Sequence, residues 1–146
     1  MRARCVDVPL GWGGIRVSED VSDDPGSDQA LSRMRRWIPT CTETHEECWR
    51  QTPTLPERLL SINGADPSRV FLWEPDEGSQ GRYAALSYCW GVGESLRTTK
   101  ASIKDMKEAG FALVDALPTI QDAIAIARSL DIYHIWVDAY VLFRTL

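Results

Sequence analysis

The chain has few of the features that mark several protein classes. It has no uninterrupted apolar run of bilayer length: the longest apolar stretch, Ile132 to Phe143, is broken by His134 and Asp138. A helical span needs ~20 apolar residues, so no membrane segment is expected. The opening residues, Met1 to Gly14, carry early arginines but no apolar core, and so do not read as a secretory signal. Without export the four cysteines are expected as reduced thiols in the cytosol or nucleus, and a cytoplasmic protein is expected. Basic residues are also scarce and dispersed: Lys and Arg number 16 against 21 acidic residues, for a net charge of −5, and the one cluster is Arg33, Arg35 and Arg36. No stripe of positive charge exists to neutralise phosphates, which argues against nucleic acid as a partner. Gly91-Val92-Gly93 lacks the third glycine and following helix of a dinucleotide loop. Internal repeats are absent.

What is present reads as a globular protein: 146 residues, 44% hydrophobic and 25% charged, with six tryptophans to fill a core or an interface. Residues 1–30 form an acidic, turn-rich leader, centred on Ser18 to Asp28, with the composition of a flexible segment. Residues 31–82 read as a lead-in. Leu31, Met34, Ile38 and Cys41 recur at helical spacing from a cap near Ser27 or Asp28, and Pro39 is expected to break or kink that helix, with a further turn or two from Thr42 to Trp49. Arg58–Ile62 and Arg69–Glu74 read as two short strands around the turn Asn63–Pro67.

In residues 83–146 the run Tyr83–Trp90 is apolar enough for a central strand buried on both faces. Ser102–Gly110 suits an exposed helix stopped by glycine. The strongest helix follows, with Thr119 as the expected cap, Asp122 as its capping-box partner, and Ile120, Ala123, Ile124, Ala127 and Leu130 on one face. Tyr133–Val137 then makes a strand parallel to the first, giving an α/β fold.

Two strings in this last part carry a resemblance. Tyr83, Ala85, Leu86, Ser87, Tyr88, Trp90 and Gly91 form one; Leu117, Pro118, Thr119, Ile120, Asp122, Ala123, Ile124, Arg128, Leu130, Trp136, Val137, Asp138 and Ala139 form the other. In this order they resemble the opening half of the fungal heterokaryon-incompatibility (HET) domain. Trp37-Ile38, Cys41-x-x-x-His45-x-x-Cys48, Pro56-x-Arg58-Leu59-Leu60 and Val70-x-Leu72 resemble its usual lead-in. After Ala139 the family usually continues Leu/Ile-Cys-Ile-x-Gln, whereas this chain reads Tyr140-Val-Leu-Phe-Arg-Thr-Leu146. The resemblance implies an incomplete Toll/interleukin-1-receptor-like (TIR-like, flavodoxin-like) parallel sheet with flanking helices, preceded by a helix and a short β-hairpin. It implies a module of filamentous fungi for self/non-self recognition leading to cell death, assembling with other HET or signalling domains or with itself, here as a truncated, non-catalytic copy. The alternative it implies is a TIR-like NAD-cleaving enzyme whose catalytic glutamate lies in a C-terminal continuation, with NAD as substrate of that longer form and no resident cofactor. Glu94 and Glu108 precede the second strand and do not match that glutamate by position.

Four sets of residues are candidates for chemistry. Ser87, Trp90, Gly91 and Asp138 fall at the C-terminal ends of the two parallel strands, where open sheets place ligand crevices. A hydroxyl, an indole and a carboxylate there suit a ribose and a base; the competing reading is that Trp90 caps the core, Gly91 permits a turn and Asp138 caps the next segment. Cys41, His45 and Cys48 are spaced i, i+4 and i+7, the donor types for zinc on one helical face, with a fourth ligand sought in Cys5, Cys89 or His134. A buried helix face is the preferred account of that spacing, and no metal is expected. Cys89 and His134 would suit a nucleophile and base if their strands adjoin, against an inert thiol buried in a strand. Arg128 suits a phosphate or, on the outer helix face, plain solvation.

Overall fold

The computed structural model describes residues 22–45, 48, 52–89 and 98–142. They form α1 (Asp28–Thr44), β1 (Leu59–Ser61), β2 (Arg69–Trp73), β3 (Ala84–Leu86), α2 (Ile103–Glu108), β4 (Phe111–Ala112), a 3-10 turn (Leu113–Asp115), α3 (Pro118–Ser129), β5 (His134–Val137) and α4 (Asp138–Val141).

Helix α1 begins where Ser27 caps it, the serine hydroxyl accepting from the Ala30 N–H at 3.3 Å. It continues through Pro39 to Thr44, so the proline does not break it. A proline in a helix costs about 3 kcal/mol, partly through the carbonyl it leaves unpaired. That cost is tolerable here because α1 has no buried residue, so water reaches the freed carbonyl. Beyond the proline, Thr40, Thr42 and Thr44 turn their hydroxyls back onto the carbonyls of Arg36, Ile38 and Thr40.

The five strands form one sheet in the order β3-β5-β1-β2-β4. The pair β3–β5 is parallel, with Ala84 opposite Ile135 and Leu86 opposite Val137, as the strand-helix-strand reading expects. The remaining pairings are antiparallel: β1 with β2, β1 with β5, and β2 with β4. The sheet is therefore mixed, and the hairpin expected ahead of a parallel sheet is part of it. Leu60 pairs with both Leu72 and Ile135, which makes β1 the middle strand. Its Leu59 and Leu60 are fully buried.

Strand β3 departs from expectation in length and place. It pairs over three residues, Ala85 between its half-buried neighbours is exposed, and it lies at the sheet's margin among the described residues. Ala84 and Ala85 are too small to anchor two packed faces, and β1 already occupies the other side of β5.

Helix α3 lays Ile120, Ile124 and Ala127 against the sheet, the face its periodicity predicts. Its start differs from prediction: the cap position is Leu117, with no side-chain cap, and Pro118 opens the helix. Proline needs no partner for an N–H and is preset at a helical φ, so it displaces Thr119 from the capping role. The core unites this face with Ile62, Val70, Leu72, Phe111, Ile135, Val137 and Tyr140. None of the described helices is long and apolar enough to cross a membrane.

Candidate functional site

Because β3 and β5 run parallel and in register, Ser87 and Asp138 each follow the last paired residue of their strand and lie at the same edge of the sheet. This is the C-terminal edge of a parallel pair, where ligands of open α/β sheets bind. Ser87 is exposed. Asp138 starts α4, whose cap position is Val137 with no side-chain cap, and its carboxylate accepts the Ala139 N–H at 2.8 Å. Trp90 and Gly91, the other two residues expected here, lie outside the described residues, as do Glu94 and Gly93.

The same region holds hydroxyls that the sequence did not single out as site residues. Tyr88 Oη, Thr98 Oγ1 and Tyr140 Oη are each buried without a hydrogen-bond partner. Thr98 is fixed through its backbone, its N–H donating to the Ala139 carbonyl at 3.2 Å. Burial, and then the negative charge of Asp138, push the Tyr88 phenol above its ordinary pKa. Burial, and then Tyr88, push Tyr140 up to about 12. Charge and hydroxyls are thus coupled around Asp138, and every phenol there stays protonated at neutral pH. These hydroxyls can act as hydrogen-bond donors, and neither phenol is activated as a nucleophile. The signal in the sequence was weak, because Tyr88 and Tyr140 sit in apolar strings where a ring is expected to be core.

The proposed Cys89–His134 pair does not form. His134 opens β5 while Cys89 lies beyond the far end of β3, so they stand at opposite ends of the parallel pair. His134 instead stacks on Trp73, centroids 4.4 Å apart, and burial holds its pKa below the usual value. Cys89 is exposed, not the buried thiol its apolar string suggested.

Arg128 is neither solvated nor poised for a phosphate. It is half-buried, and its Nε donates to the Ile62 carbonyl at 2.7 Å, tying α3 to the exit of β1. Arg128→Met should cost about 1.5–3 kcal/mol, the usual worth of a hydrogen bond to a charged group, in urea unfolding. A neutral result would show that the bond is dispensable.

Cys41, His45 and Cys48 do come together, although not on one helical face. Helix α1 ends at Thr44, and a turn closed by the Cys48 N–H on the His45 carbonyl, at 3.2 Å, returns Cys48 to Cys41. Their sulfurs are 2.7 Å apart, and His45 Nδ1 is 3.7 Å from Cys48 Sγ. The hydrogen bond to Cys41 raises the Cys48 thiol pKa. Of the residues offered as a fourth ligand, Cys89 and His134 do not join them, and Cys5 lies outside the described residues.

The other motif residues build the fold. Leu86, Leu117, Ala123 and Trp136 pack on the core, Tyr83 precedes β3, and Asp122 faces solvent on α3. With both strings thus placed on the parallel pair and its crossover helix, comparison with known families is decisive: residues 83–145 match the heterokaryon incompatibility protein (HET) family. This segment is a HET-family segment. The match begins at Tyr83, where the first string begins, and its span extends past Ala139, where the second ends. The lead-in through β2 lies outside the matched HET residues. No curated protein and no solved structure matches the chain.

Proposed function

We propose that the chain is a heterokaryon (vegetative) incompatibility module of filamentous fungi, acting in the cytoplasm in self/non-self recognition that leads to cell death. It works by assembly with other HET or signalling domains, without chemistry of its own. The HET match over residues 83–145 carries this reading. The roles of the motif residues support the non-catalytic part: most of them pack, cap or brace, as Leu86, Pro118, Ala123, Arg128 and Trp136 do. Likeness to a TIR fold draws support from the parallel β3–β5 pair and its helical crossover, while the antiparallel strands beside β5 depart from it. Induced expression in a filamentous fungus should arrest colony growth and admit a vital dye; undiminished growth at confirmed protein levels rejects the proposal.

One observation favours a second reading, NAD cleavage by a longer TIR-like form. Asp138, Ser87 and the unpartnered hydroxyls of Tyr88, Thr98 and Tyr140 gather where a ribose would bind. Incubated with NAD, the purified chain should release no nicotinamide above the buffer rate. Release abolished by Asp138→Asn would replace the first reading with the second.

A further inference from the structure

We propose that Cys41, His45 and Cys48 bind a thiophilic divalent cation of the zinc class, with a fourth coordination position left open to water or to a partner's side chain. The donor atoms all lie within 4.8 Å of one another, two half-buried sulfurs and one exposed imidazole nitrogen. Two thiolates and an imidazole are among the commonest donor sets for zinc. A tetrahedral zinc with ~2.3 Å bonds to sulfur holds its sulfurs roughly 3.8 Å apart. The Cys48–His45 separation of 3.7 Å already fits such an edge. The sulfurs lie 2.7 Å apart, so seating the ion opens them by about 1 Å. Both thiols release their protons to solvent on binding, so no oxidant or reductant is involved.

The backbone supports this convergence independently of the side chains. Cys41 is fixed in the last turn of α1, its carbonyl accepting the His45 N–H at 3.3 Å. His45 leaves the helix with extended backbone (φ −97°, ψ 123°), and its own carbonyl receives the Cys48 N–H. Each ligand is thus joined to the next by a main-chain hydrogen bond before any ion arrives. A cation here clips the end of α1 to the segment leading toward the sheet. Among the described residues no fourth His, Cys, Asp or Glu joins the group.

The test is cobalt(II) titration of the intact, reduced chain under anaerobic conditions. One equivalent should give thiolate-to-cobalt charge-transfer absorption and intense tetrahedral ligand-field bands, both erased by zinc. Cys41→Ser and Cys48→Ser should each remove about half of the charge-transfer intensity. His45→Ala, at an exposed position beyond the helix, should weaken binding at least about 100-fold, the upper end of what even outer-shell changes cost. The double variant Cys5→Ser/Cys89→Ser must keep the full spectrum. Absence of the charge-transfer band in the reduced wild-type chain overturns the proposal. So does a band that survives loss of Cys41 and Cys48, or that disappears with Cys5 and Cys89. A chain that ignores both metals yet forms a Cys41–Cys48 disulfide in air also overturns it, in favour of a redox pair.

Discussion

Gly110→Ala should destabilise the protein by about 2–5 kcal/mol, a large part of the ~5–15 kcal/mol that holds a typical domain together. Gly110 ends α2 with φ at +64°, donating its N–H to the Asp105 carbonyl at 2.9 Å, beside the Ala109 N–H that bonds the same oxygen at 2.8 Å. A left-handed residue with a side chain costs roughly 1–2 kcal/mol. Here the added Cβ would also collide with the Val70 carbonyl oxygen and come within 2.9 Å of Phe71 Cδ1. The Val70 backbone cannot yield cheaply, because Val70 is paired with Phe111 in the β2–β4 ladder and is itself fully buried. Arg69 closes the other side, its guanidinium donating to the Ala109 and Gly110 carbonyls. Gly78 is the internal control: its φ of +78° carries the same backbone cost, but nothing lies within 4 Å of an added Cβ. Gly78→Ala should therefore cost only about 1–2 kcal/mol. Equal urea midpoints for the two variants would show that the α2–β4 corner is not packed against β2.

Tyr140→Phe should stabilise the protein by about 1–3 kcal/mol at neutral pH, the cost of a buried hydroxyl left without a partner. The residue is fully buried, and its ring stacks on Phe111 with centroids 4.9 Å apart and planes 2° from parallel. Phenylalanine keeps that stack and removes only the unsatisfied oxygen. The same substitution should flatten the alkaline limb of stability. In the folded chain burial holds the Tyr140 phenol up to about 12, against an ordinary value near 10, so above about pH 10 the unfolded chain ionises first. The unfolded state then binds fewer protons, and stability falls by up to about 1.4 kcal/mol per pH unit until the folded phenol also ionises. Below pH 10 the contribution is fully present and flat. Urea titrations from pH 8 to 11 on both proteins measure it. A Tyr140→Phe chain less stable than wild type by 1 kcal/mol or more would mean that the hydroxyl is satisfied in solution.

Much of the second half was legible because helical period and strand length are local signals. The buried stripe Ile120, Ile124 and Ala127 follows from spacing alone, and a helix between two apolar strings implies a parallel pair. Pairing between distant short strands has no such local signature: β1 contributes three residues, too few to show which neighbours it takes, so its place between β2 and β5 was not foreseen. The length of the Tyr83–Trp90 run misled for a related reason, since an apolar run shows burial potential but not how many residues find a partner strand. At the site, Ser87 and Asp138 could be placed from strand direction. The orphaned hydroxyls of Tyr88, Thr98 and Tyr140 could not, because whether a buried hydroxyl finds a partner depends on geometry finer than any pattern of residue types. The cysteine-histidine trio was visible through its spacing, yet a chain reversal after Thr44, not a continuous helix, brings it together.

The position of β5 has a further consequence for vectorial synthesis. The ladders β1–β2 and β2–β4 can close while the ribosome is still at work, but β1 and β3 both pair with a four-residue strand beginning at His134. Until that strand emerges, the nascent chain holds a meander whose first strand lacks its second neighbour and a separate β3 with no partner among the described residues. A chain that lengthens by roughly 5–20 residues per second spends several seconds between β3 and β5 in that half-built state. The last of the five strands to be made thus lies between the first and the third, and the sheet stays in two pieces until it arrives.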